Sequence, residues 1–108
     1  MIKERIQQDL KKALLEKREL ELSVLRMLSA AILTKEKEKR YNISRKNPKL
    51  NSLELEKESQ LTDEEAISVL SLEIKKRKES RDIFKRAGRN DLVEKEEKEL
   101  KILQKYLS

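Results

Sequence analysis

LELSVLRMLSAAIL, residues 20–33, puts apolar groups on nearly every side of a helix. A helix that is hydrophobic all round is buried on several sides, whereas a surface helix keeps one polar face. The stretch therefore predicts a central helix against which others pack. One charge interrupts it, Arg26, on an arc shared with Ser23 and Ala30. An unpaired interior cation is costly, so Arg26 is expected to meet a carboxylate from another helix.

Upstream, Ile2, Ile6, Leu10, Ala13 and Leu14 recur at helical spacing and predict a first helix over residues 2–17. The polar text around Arg18 marks either a break or a continuation into the central helix, which extends over 19–40. Residues 41–61 hold Pro48, three asparagines and three serines, and read as an exposed loop with at most a short helical turn. Leu61-Thr62-Asp63-Glu64-Glu65 opens a helix over 62–87. Thr62 can cap its free N–H groups while Glu65 reaches back, and the acids suit the positive end of the helix dipole. Ile67, Leu70 and Ile74 mark the buried stripe, flanked by Ala66 and Val69. Gly88 is expected to close this helix, because glycine enters the left-handed conformation cheaply. Asn90 or Asp91 then caps a final helix over 91–107 bearing Leu92, Val93, Leu100, Leu103 and Leu107. The expected fold is all-α, a four-helix bundle-like domain with a long loop between helices 2 and 3, and it spans residues 1–108.

The composition agrees. Glycine and proline occur once each, and 44% of the 108 residues are charged. This mixture favours helix and leaves little for strands. No run of 18 apolar residues is present to span a membrane, and the N-terminal MIKERIQQDL lacks the apolar core of a signal peptide. With no cysteine and no histidine, disulfides, thiolate metal sites and the commonest general base are excluded. No metal or cofactor is expected, and a cytoplasmic location fits best.

The net charge of +6 is unevenly placed. Residues 74–92, IKKRKESRDIFKRAGRNDL, hold eight bases against three acids, a local net of +5. Arg77 and Arg81 fall on the stripe of Leu70, Ile74 and Phe84, where the pattern calls for core residues, and Lys85 and Arg89 extend the row. Ser80 lies among the bases and can donate to a phosphate. Two readings compete. In one, Glu73–Arg77, Lys75–Glu79 and Asp82–Arg86 pair along the helix, and acids of the final helix satisfy the rest. In the other, the surplus of bases forms a phosphate-binding face. With three aromatic residues in the chain, base stacking is poorly provided for, so any nucleic acid is held by phosphate contacts and shape.

LSVLRMLSAAI (22–32), LTDEEAISVLSLEIKKRKES (61–80) and FKRAGRNDLVEKEEKELKILQKYL (84–107) resemble the N-terminal part of YqeY proteins. These belong to the GatB/YqeY family, related to the tail of the B subunit of the tRNA-dependent amidotransferase. The resemblance covers nearly the whole chain and departs from it over 42–60. It implies an all-helical N-terminal domain, normally followed by a second small helical one, so a chain ending at KYLS is expected to be a truncated or naturally short form. The family's KxRKxS and AGR strings single out Lys75, Arg77, Lys78, Ser80, Gly88 and Arg89. Of these, Lys75, Arg77, Lys78, Ser80 and Arg89, together with Arg81 and Lys85, form the expected RNA-binding face, with Arg26, Thr62 and Gly88 in structural roles. The implied partners are tRNA or another structured RNA, with amidotransferase or tRNA synthetase proteins. The family's carbon–nitrogen ligase activity, with glutamine as donor, finds no catalytic residues here. An accessory RNA-binding module is the expected function. The alternative is a helical interaction domain docking on an acidic protein.

Overall fold

The computed structural model describes residues 1–107, which form five helices and a closing 3-10 turn. They are α1 (Ile2–Leu15), α2 (Glu19–Lys46), α3 (Ser52–Glu58), α4 (Asp63–Arg86) and α5 (Asn90–Gln104), followed by the turn Lys105–Leu107. No strand occurs among the described residues. Helix α2 is central: α1, α3, α4 and α5 all pack on it, while α4 and α5 form the closest antiparallel pair. Val24, Leu25, Leu28 and Ile32 of α2 meet Ile6, Val69, Leu70, Ile74, Leu100, Leu103 and Tyr106 in one core. Among the described residues, no helix is long and apolar enough to cross a membrane.

The helix ends follow local chemistry. Thr62 accepts from the Glu65 N–H, and the Glu65 carboxylate accepts from the Thr62 N–H at 3.0 Å, the reciprocal box expected. Gly88 has φ +70°; its N–H donates to Lys85 O, and that of Arg89 to Phe84 O at 2.9 Å. This paired arrangement closes α4 through a left-handed residue. The same arrangement closes α1, with Lys17 at φ 56° and Arg18 N–H donating to Ala13 O. The text around Arg18 is therefore a break.

Four expectations fail for identifiable reasons. Helix α2 extends six residues beyond 40, to Lys46, and stops at Asn47 because the residue before proline is disfavoured in the helical region. A third helix interrupts the expected loop: Asn51 accepts from Glu54 N–H while Glu54 accepts from Asn51 N–H, a second capping box hidden in loop-like composition. No side chain caps α5; Arg89 occupies the cap position and Asp91 lies in the first turn. Finally, α2 is not buried all round. Ser23, Arg26, Met27, Ala30, Leu33 and Thr34 form an exposed arc, and Arg26 has no ion pair among the described residues. Two layers of helices surround only part of α2, so Arg26 keeps its hydration and needs no carboxylate. Ile67 and Leu107 are likewise more exposed than their spacing suggests, and Tyr106 fills the core at the end of the chain.

The chain's extremities are tied together. The Tyr106 hydroxyl donates to Asp9 at 2.6 Å, the Arg5 guanidinium stands 4.9 Å over the Tyr106 ring, and Arg5 donates to Lys105 O at 3.2 Å. Burial and the Asp9 carboxylate both raise the Tyr106 pKa. Elsewhere Lys3 and Glu36 form a partly buried ion pair at 2.9 Å, and Glu36 also accepts from Leu61 N–H. This joins α1, α2 and the approach to α4.

Candidate nucleic-acid interface

At about 100° per residue, the bases of α4 divide between two faces. Ala66, Leu70 and Ile74 continue into Arg77, Arg81 and Phe84, which are all half-buried against the rest of the bundle. Lys75, Lys78, Lys85 and Arg86 lie beside this stripe, centred about 110° round the helix from it, and are exposed. These four fall within an arc of about 100° and a length of about 16 Å.

Arg77 is a seam residue. One nitrogen donates to the Glu99 carboxylate of α5 and lies 3.6 Å from Glu96 Oε2. Another contacts the Met27 sulfur at 3.1 Å. The contact to Glu96 is an ion pair beyond hydrogen-bonding distance, and Glu96 Oε2 is buried with no hydrogen-bond partner among the described residues. Burial pushes the Glu99 pKa up and the neighbouring Glu96 adds to it, while Arg77 acts in the opposite direction. Two carboxylates thus share one guanidinium between α4, α5 and α2.

The other candidates differ in availability. Arg81 is half-buried and 3.3 Å from the adjacent Asp82. Arg89 is exposed and 3.4 Å from Asp91, whose pKa it holds below the usual carboxylate range. Exposed pairs of this kind are weak and yield readily to a better anion. Ser80 is half-buried and makes no hydrogen bond among the described residues. Lys75, Lys78 and Lys85 have no ion-pair partner among the described residues. None of the three expected i, i+4 pairs forms; Glu73 reaches Lys76 at 3.6 Å instead. The structure therefore brings Lys75, Lys78 and Lys85 together on open surface, leaves Arg89 at the corner, and turns Arg77 inward.

A second basic region is absent from the sequence reading. Residues 39–50 contain Lys39, Arg40, Arg45, Lys46 and Lys49 and no acid. The signal was present as charge but was obscured by reading the segment for its loop-forming residues. It forms the end of α2 and the following turn, on a different part of the molecule from the open face of α4.

The family model described as "Yqey-like protein" matches residues 3–108. No curated protein matches the chain.

Proposed function

The chain belongs to the YqeY-like protein family, and from that premise we propose that it is an RNA-binding accessory module holding tRNA or a similar structured RNA by its phosphates. In this reading it is the counterpart of the amidotransferase B-subunit tail, and other proteins carry out the carbon–nitrogen ligation. The observation that carries the reading is the open face of α4, where Lys75, Lys78 and Lys85 stand exposed without acidic partners among the described residues. Arg81 and Arg89 flank it with weak surface pairs that an RNA phosphate can replace. Arg77 supports the face from behind by fixing α4 to α5.

Binding of labelled tRNA across a salt series tests this. Log affinity should fall with log salt by about 0.7–0.9 per phosphate contact. Lys75→Gln/Lys78→Gln/Lys85→Gln should weaken binding and reduce the slope by roughly two to three. Unrelated tRNAs should bind with similar strength, because base-stacking groups are scarce. A triple variant with the wild-type affinity and slope would exclude this face.

One observation favours a second reading. Leu72 and Ile83, 47% and 55% exposed, border the same cationic face and suit a protein partner with acidic and apolar groups. That reading expects no tRNA binding by the wild type at physiological salt.

A further inference from the structure

Helix α3 has seven residues and none of them is buried. Isolated helices shorter than about 12–15 residues are marginal in water, so α3 is held only by its capping box and by half-buried Leu55 on its side toward α2. Its most prominent apolar side chain, Leu53, is 78% exposed. Next to it, across Ser59–Leu61, a groove of about 630 Å³ opens between the C-terminal half of α2 and the N-terminal half of α4. Ile43, Leu61, Val69 and Leu72 supply apolar lining, and Lys46 stands on its rim.

The charges of these neighbouring regions are complementary but largely unpaired within one chain. Residues 39–50 carry five bases and no acid; residues 54–65 carry six acids and one base, a net of −5. Only Lys39–Glu65, at 2.7 Å, joins the two among the described residues. Arg40, Arg45, Lys46 and Lys49, and likewise Glu56 and Glu58, have no ion-pair partner among the described residues.

We propose that the α2–α4 groove and α3 are the two halves of a self-complementary interface, through which two copies of this chain pair. The acidic α3 of each copy seats Leu53 in the groove of the other, and its carboxylates face the basic end of the partner's α2. A two-fold contact requires the same patch on both subunits, and a groove adjoining its own ligand-like helix meets that requirement. The contact covers the unburied helix, the exposed Leu53 and Leu72, and both sets of unpaired charges. It leaves the open face of α4 outside the interface.

Sedimentation equilibrium of the chain without RNA, at low and high salt, tests the proposal. The wild type should show a concentration-dependent monomer–dimer equilibrium that weakens with salt. Leu53→Asp should weaken it by at least about tenfold, as expected for a central apolar anchor. Arg45→Glu/Lys46→Glu and Glu56→Lys/Glu58→Lys should each abolish dimerisation, and an equimolar mixture of the two should restore it. In the mixed dimer every two-fold contact again joins opposite charges. All five positions are exposed or half-buried outside the core, and circular dichroism confirms that each variant is folded. A wild type that stays monomeric at every attainable concentration overturns the proposal. So does a Leu53→Asp variant that dimerises normally, or a mixture that fails to recover.

Discussion

The solvent arc around Arg26 and the α4–α5 seam around Arg77 are two arginine-bearing regions with opposite outcomes. Arg26 interrupts the most apolar stretch of the chain, yet it is exposed and unpaired among the described residues. Arg77 stands in the most cationic stretch, yet its side chain is 14% exposed and engaged by two carboxylates. The difference arises from neighbouring helices. The text around Arg26 is apolar on all sides, but helices cover only part of α2. The text around Arg77 is charged, but Arg77 continues the buried stripe of α4, and α5 presents Glu96 and Glu99 to it. Met27, one residue from Arg26, touches Arg77, so the two regions share a border.

The largest effect should come from Arg77→Gln. It leaves two mostly buried carboxylates without their cation, and breaking such a pair from one side costs on the order of 3 kcal/mol. Thermal unfolding monitored by circular dichroism measures it. The loss should depend on pH. Burial raises the Glu99 pKa, so the folded chain holds this proton at higher pH than the unfolded chain does. The group's contribution is full below the ordinary carboxylate range and is lost as pH rises from there through its raised folded value. Without Arg77 the Glu99 carboxyl loses its neighbouring cation and should shift further up, so the variant should recover part of its stability as pH falls from neutral toward the ordinary carboxylate range. A variant as stable as the wild type at pH 7 would return Arg77 to the solvated class of Arg26.

The next effects test whether context also governs the two left-handed helix closures. Gly88→Ala meets nothing within 4 Å of its new Cβ, so its cost should be the conformational one alone, about 1 kcal/mol. Lys17 pays that cost already at φ 56°, and Lys17→Gly should raise stability by up to about 1 kcal/mol. The smallest effect belongs to Arg26→Met, within about 0.5 kcal/mol as for a solvated surface position. A loss several times larger would reveal a partner for Arg26 and collapse the contrast with Arg77.

These residues also indicate what can be read from a sequence. Thr62 with Glu65, and Gly88, were legible because their partners lie within a few positions. The helix over 52–58 carries the same kind of signal in Asn51 and Glu54, but the surrounding Pro48 and asparagines outweighed it. The fate of Arg77 depends on residues 19 and 22 positions away, and hence on the register between α4 and α5, which periodicity along one helix does not contain. For the candidate interface, the basic segment was visible as charge. Its division into an inward Arg77, a flanking Arg81, and an open set, Lys75, Lys78 and Lys85, appears only once the bundle shows which side of α4 is covered.

The bond between Tyr106 and Asp9 spans 97 residues of sequence. Closing so long a loop carries an entropic cost that the local pairs, α1 on α2 and α4 on α5, do not face. During folding, those hairpins can form first and the Tyr106 seam shuts afterwards. In the native ensemble the order reverses: release of Tyr106 loosens α1 around Arg5 and Asp9 together with the end of α5 in one event. Amide exchange in these two extremities should therefore respond together to Tyr106→Phe, as a single unit of local unfolding made from opposite ends of the chain.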